Sequence, residues 1–251
     1  MKSAYMVVSD IHIGSPVARS EALIETIEHV IEEWDLQVLI INGDLFNDLA
    51  FTRLTKDDWR LLSYFRKLTK KVRVVWVKGN HDEPACEVVA HLLGMELVDE
   101  FDFEVNDVPY VAIHGDQFDH FINKYKTVTN IACAIYFTLQ LMDKKNHRFS
   151  RFIKRVSKKW LRLSTEVGEK AHTYGIKRKR NVICGHTHKA ARVEGFISYY
   201  NSGCWTDKPS HFLIIDKHGV HTYSEEDGKY EESNLDSKEF KGLGTRESET
   251  V

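Results

Sequence analysis

The segment AYMVVSDIHIG (Ala4–Gly14) decides how the chain is read. A short apolar run rich in β-branched residues reads as a buried strand. It gives way abruptly to Asp10, Ile11 and His12, and then to Gly14. On an extended backbone, alternate side chains face the same side, so Asp10 and His12 point together while Ile11 points away. The same succession recurs down the chain. LQVLII (Leu36–Ile41) runs into NGDLFND and Asp44, and VRVVWV (Val72–Val77) runs into KGNHDE with Asn80, His81 and Asp82. PYVAIH (Pro109–His114) ends on His114, and NVIC (Asn181–Cys184) runs into GHTHKA with His186 and His188 on alternate positions. Gly14, Gly43, Gly79, Gly115 and Gly185 flank these ends, where a backbone must bend or come close to a neighbour. Either the paired histidines are loop residues, or they are metal ligands whose partners lie at the other strand ends.

The segments between the strands read as helices. In SEALIETIEHVIEEW, Leu23, Ile24, Ile27, Val30, Ile31 and Trp34 recur at helical spacing, as do Trp59, Leu62, Phe65 and Leu68 within Thr55–Lys70. FISYYN (Phe196–Asn201) and HFLIID (His211–Asp216) add strands in the last third. Strand–helix alternation followed by clustered strands implies an α/β fold, a mixed sheet structure with helices on its outer faces. In such folds ligands bind beyond the carboxyl ends of the strands, where these Asp, Asn and His residues fall.

The chain of 251 residues can bury a substantial core without staples. Its formal net charge of −2 argues against a general nucleic-acid binder. The four cysteines, Cys86, Cys133, Cys184 and Cys204, form no CxxC pair and imply buried, reduced thiols in a cytoplasmic setting. The opening MKSAYMVVSD has no signal-peptide pattern. The longest uncharged run, Thr127–Met142, falls short of the ~20 residues that span a bilayer.

Asp10, His12, Asp44, Asn80, His114, His186 and His188 offer oxygen and imidazole ligands without a thiolate. That donor set suits Mn²⁺, Fe²⁺, Zn²⁺ or Co²⁺, and Mn²⁺ is the favoured ion. Seven ligands exceed the needs of one ion but suit two ions ~3.5–4 Å apart, with Asp44 between them. His81, next to Asn80, is then placed to protonate a leaving oxygen, with Asp82 to orient it. His29, His91, His147, His211, His218 and His221 read as surface or satisfied core residues.

The motifs DIH, GDLFN, GNHD, HGD and GHTH, in this order between residues 10 and 188, resemble the calcineurin-like metallophosphoesterase family. The resemblance implies a four-layer αββα sandwich with a dinuclear metal centre. Carried over, it gives Asp10, His12, Asp44 and His188 to one ion, and Asp44, Asn80, His114 and His186 to the other. Asn47 departs from the family, which often has an acidic residue there; it can still hydrogen-bond beside the site. HGDQFD, VICGHTHKA and YYNSGCW (Tyr199–Trp205) resemble the branch that contains the UDP-2,3-diacylglucosamine pyrophosphatases of lipid A synthesis. That branch implies release of UMP and a lipid monophosphate, and a helical lid over acyl chains. It usually has Gly-Asn-Arg-Asp where this chain has Gly79-Asn80-His81-Asp82, which replaces a fixed charge with a titratable acid.

The expected organisation is a catalytic core made of residues 1–118 and 174–223, an inserted helical lid over 119–173, and a disordered tail over 224–251. The insertion is apolar in TVTNIACAIYFTLQLM and then basic, with Lys144, Lys145, Arg148, Arg151, Lys154, Arg155, Lys158, Lys159 and Arg162. It is either an amphipathic hairpin packed on the core or a lid that meets acyl chains and anionic headgroups at the inner membrane surface, as a peripheral contact. No stacking platform for single-stranded nucleic acid is evident. Asp119 and His120 either touch substrate or start a helix, and Asn201 either lies near the metal centre or serves a plain turn. The alternatives to the lipid pyrophosphatase are a soluble phosphodiesterase or phosphomonoesterase of another substrate, and a membrane-docked scaffold without turnover. Intact ligands disfavour the scaffold.

Overall fold

The computed structural model describes residues 2–48, 50–82, 86–119, 149–233 and 235, and the side chains of 149–163 are not among the described features. Two sheets carry the fold. In the first, β1 (Lys2–Val8), β2 (Trp34–Asn42), β3 (Arg73–Val77) and β4 (Glu96–Val98) run parallel. On the other side of β1 lie β10 (Ser210–Asp216), β11 (Gly219–Glu226) and β12 (Lys229–Glu232), all antiparallel to their neighbours. The second sheet has the order β5 (Phe101–Val105), β6 (Val108–Ala112), β7 (Asn181–Cys184), β9 (Tyr199–Asn201), β8 (Ala191–Val193).

The apolar alternation of each strand divides its side chains between two layers. Ala4, Met6 and Val8 of β1, Leu39 and Ile41 of β2, and Val74 and Trp76 of β3 face the helices α1 (Ser20–Glu33), α2 (Lys56–Leu68) and α3 (Cys86–Leu93). The intervening Val7, Val38, Ile40, Val75 and Val77 meet Phe101, Phe103, Tyr110, Ala112 and Ile183 of the second sheet. Val111, Ile113, Val182 and Cys184 turn to the far side, where Ala171 of α4 (Phe149–Arg178) packs. The result is the expected four-layer αββα sandwich, built because strands buried on both faces are apolar at successive positions. α2 starts where its sequence says it should: the Thr55 hydroxyl accepts from the Asp58 N–H and the Asp58 carboxylate accepts from the Thr55 N–H, a capping box.

The organisation differs from the sequence expectation in two places. The 224–251 tail was expected to be disordered, but residues up to Glu226 complete β11 and Lys229–Glu232 form β12. Asp227 and Gly228 join them, both at positive φ, as a tight hairpin turn requires. The insertion does not end at 173. Its last helix continues to Arg178, and its second half, through Val167 and Ala171, is part of the core. The apolar stretch 127–142, His120, and Lys144, Lys145 and Arg148 lie outside the described residues, as do the basic side chains of Arg151–Arg162. Cys86, Cys184 and Cys204 are free and buried, as expected; Cys133 lies outside the described residues. Among the described residues, no helix is long and apolar enough to cross a membrane.

Candidate metal centre

Five parallel strand ends from both sheets converge on one buried site. β1 delivers Asp10 and His12, β2 Asp44, β3 Asn80 and His81, β6 His114, and β7 His186 and His188. The backbone there leaves the strand geometry sharply. Asp10, His12, Asp44, His186 and His188 all have φ between 51° and 65°. That left-handed region disfavours side chains with a Cβ, and its use at five site residues marks strain held by the surrounding structure. Gly43 and Gly79 allow the convergence. A Cβ on Gly43 would stand 2.1 Å from His114 Nδ1, and one on Gly79 would stand 2.3 Å from Asp44 Oδ1.

Three overlapping groups of donors form: Asp10, His12 and His188; Asp44, His114 and His186; and, between these two, His12, Asp44 and His81. In the first, His188 Nε2 lies 3.2 Å from Asp10 Oδ1 and 3.1 Å from His12 Nε2. In the second, His114 Nε2 lies 3.3 Å from Asp44 Oδ2, with the His186 ring edge-on to His114 at 5.2 Å. The same Oδ2 of Asp44 stands 3.7 Å from His12 Nε2. One ligand atom each from Asp10, His12 and His188 can meet at a common point, and so can one each from Asp44, His114 and His186.

These residues fit divalent ions. Asn80 Oδ1 is buried and makes no hydrogen bond, and Asp10 Oδ1 and His114 Nε2 have only the His188 and Asp44 contacts above, outside hydrogen-bond geometry, although buried polar atoms nearly always find a hydrogen bond. Two imidazole Nε2 atoms face each other at His12 and His188, where one cation between lone pairs satisfies both. Burial drives His12 down to about 3, so its ring is neutral and offers a lone pair. Burial also acts against charge on His114, but the Asp44 carboxylate beside it carries it up to about 10. Burial works to raise Asp44, and His114 and His12 hold it well below the usual carboxylate range. The carboxylates therefore draw positive charge to this cavity, which a divalent cation supplies.

The rings are oriented from behind. His114 Nδ1 donates to the Asn42 carbonyl at 2.9 Å, and Asn42 Nδ2 in turn donates to the Ile113 and Ile183 carbonyls. The Thr206 hydroxyl stands 3.4 Å from His188 Nδ1. His81 is half-buried, edge-on to the His12 ring at 5.0 Å, with Nδ1 on the Asn47 carbonyl at 2.9 Å. That bond needs the proton on Nδ1 and leaves Nε2 for other work.

Several expected contacts take a different form. Asp82 does not orient His81. Its carboxylate is fully buried and accepts from the N–H groups of Asp44, Phe46 and Gly79 and from the Trp76 indole. It ties the second and third strand ends together, and burial with the Asp44 charge raises it to about 7. Asn47 reaches His81 through its backbone, while its side chain donates to Asp48. Asn201 is fully buried beneath the GHTH turn rather than open to a substrate. Its Nδ2 donates to the Gly185 carbonyl at 2.6 Å and to the Thr187 hydroxyl, and its Oδ1 accepts from the Gly203 N–H. Asp119 lies against His186. Thr206 and Trp205, whose N–H donates to the Asp10 carbonyl, support the site without having been singled out from sequence. Both follow Asn201 in the chain, and no spacing rule flags a hydroxyl that meets His188 across a fold.

A family model described as calcineurin-like phosphoesterase matches residues 4–190. Yfce, a phosphoesterase from E. coli, superposes with a TM-score of 0.52 at 17% identity, covering 93% of this chain and all 100% of Yfce. A dimetal phosphatase from Danio rerio gives a TM-score of 0.47 at 13% identity over 88% of this chain and 95% of its own. The nuclease MPE of Pseudomonas putida gives 0.43 at 16% identity over 91% of this chain and 87% of its own. At such identities the similarity to Yfce is one of fold. No curated protein matches the chain.

Proposed function

Because the chain belongs to the calcineurin-like phosphoesterase family and is a metal-dependent phosphoester hydrolase, we propose that it hydrolyses a UDP-2,3-diacylglucosamine-like pyrophosphate to UMP and a lipid monophosphate. The hydrolase reading rests above all on Asp44 Oδ2, which stands between His12 Nε2 and His114 Nε2 at the meeting point of both donor groups. In this reading Asp10, His12, Asp44 and His188 hold one ion, and Asp44, Asn80, His114 and His186 hold the other. When bound, paired ions neutralise charge on the phosphoryl oxygens and acidify water.

The chain's own residues supply position and a proton. Water oxygen bonds to one phosphorus as the bond from that phosphorus to the bridging oxygen breaks; the water gives up a proton to solvent, and His81 Nε2 protonates the departing oxygen. The His81 ring is held for this by the Asn47 carbonyl behind it, and the His81 backbone N–H donates to Asp44 Oδ1, at 2.9 Å each. Burial of Asp10, Asp44 and His114 keeps the field of these charges strong, because little solvent screens them.

The substrate class rests on sequence. HGDQFD, GHTHKA and YYNSGCW support it, together with the basic run that leads into α4. A peripheral contact of that run with an anionic membrane surface belongs to the same reading. The test is UMP release from UDP-2,3-diacylglucosamine by Mn²⁺-loaded protein. Release that disappears in His114→Ala supports the assignment. Cleavage of bis(p-nitrophenyl) phosphate with no UMP release would retain the hydrolase and remove the lipid substrate.

A further inference from the structure

The site's histidines are not held alike, and one of them is held by a carboxylate that the family ligand set leaves unused. His186 Nε2 lies 3.2 Å from Asp119 Oδ2, and both residues are buried, Asp119 to 1% exposure. A carboxylate on one ring nitrogen holds the proton there and leaves the other nitrogen as the lone pair for a metal. We propose that Asp119 is a positioning residue: it fixes the tautomer and rotation of His186, so that Nδ1 rather than Nε2 serves the second ion. His114 and His188 show the reverse arrangement, each with Nδ1 engaged from behind and Nε2 turned to Asp44 or Asp10. The inference rests on the dinuclear reading above and is independent of the substrate.

The position of Asp119 is itself secured. It follows a short 3-10 turn (Asp116–Phe118) that begins at Gly115 with φ 108°, directly after His114. Its N–H donates to the Asp116 carbonyl at 3.0 Å. α4 braces the turn: Lys170 Nζ donates to the Phe118 carbonyl at 3.2 Å, and the Phe118 and Tyr174 rings lie 5.8 Å apart. The Gly185 N–H donates to the His114 carbonyl at 3.0 Å, which ties the His114 and His186 ends together. A fixed carboxylate therefore meets a fixed imidazole. The core half of α4 thus reaches the metal centre through two residues, Phe118 and Asp119.

Calorimetric titration of metal-free protein with Mn²⁺ tests this, with Asp119→Ala, Asp119→Asn, His186→Ala and the Asp119→Ala/His186→Ala double variant. Loss of a residue that orients a ligand typically costs about 10- to 100-fold in metal affinity. The second binding event of Asp119→Ala should weaken by about that factor, with the first event and the far-UV circular dichroism unchanged. Asp119→Asn keeps an oxygen that can accept from Nε2–H, so it should recover part of the loss. The double variant should bind no more weakly than His186→Ala, because Asp119 acts only through that ring. Unchanged second-ion affinity in Asp119→Ala overturns the inference. So does a double variant weaker than His186→Ala, which would make Asp119 a direct ligand. Wild type that binds fewer than two ions overturns both this inference and the dinuclear reading, whereas two ions without UMP release would overturn only the substrate.

Discussion

Two clusters of opposite charge lie on the second sheet's borders, and they teach opposite lessons. At the outer edge, Arg178 pairs with Glu100 and Asp102 at 2.7 Å each, and Arg180 with Asp102 at 3.3 Å, with side chains 27–39% exposed. At the strand ends, His114 meets Asp44 at 3.3 Å with side chains 1% and 3% exposed. The two Arg178 pairs are shorter than the His114–Asp44 contact, yet water screens them, and such pairs contribute about 0–1 kcal/mol. The buried cluster has left-handed backbone at Asp10 and Asp44 and polar atoms without a hydrogen bond. Distance alone therefore does not rank these clusters. Burial, strain and unmet hydrogen bonds mark the one suited to bind a cation.

That contrast predicts graded outcomes. Asp44→Ala removes the group between both donor sets, and hydrolysis of bis(p-nitrophenyl) phosphate should fall by at least about 10³-fold, with metal binding impaired at both sites. Retained turnover would place the centre elsewhere. His81→Ala should lower kcat by about 10²- to 10⁴-fold, the usual worth of a general acid. A leaving group that needs no proton, such as p-nitrophenolate, should narrow the loss, and an equal loss with good and poor leaving groups would remove His81 from that role. Asp82→Ala leaves four buried N–H donors without their acceptor. At about 1–3 kcal/mol for each donor left unsatisfied, denaturant unfolding should show a loss of several kcal/mol, and a loss under 1 kcal/mol would contradict the pinning role. At the other cluster, Arg178→Ala should cost less than about 1 kcal/mol, further reduced in high salt, with turnover intact.

What could be read from the sequence follows from locality. Each strand end announced itself because an apolar run stopped at Asp, Asn or His, and alternation put the paired residues on one side. The sandwich followed from the same runs, since β1, β2 and β3 are apolar on both faces. The role of Asp82 is not legible in the sequence because its donors, the Asp44 and Phe46 N–H groups, belong to another strand end. Asn201 and Asp119 were named but not placed, because Gly185 and His186 reach them only in three dimensions. The hairpin of β11 and β12 was hidden by its polar composition, although Asp227-Gly228 is a strong turn signal. The return to the core before residue 173 is hidden in the sequence because charge on α4 masks the buried Val167 and Ala171.

The most direct test of the dinuclear centre is anomalous diffraction at the manganese edge from crystals of the Mn²⁺-loaded protein. Two peaks about 3.5–4 Å apart, on either side of the Asp44 carboxylate, are the predicted result. The first should lie against Asp10, His12 and His188, and the second against Asn80, His114 and His186. A single peak, or a pair that leaves Asp44 uncoordinated, would contradict the account.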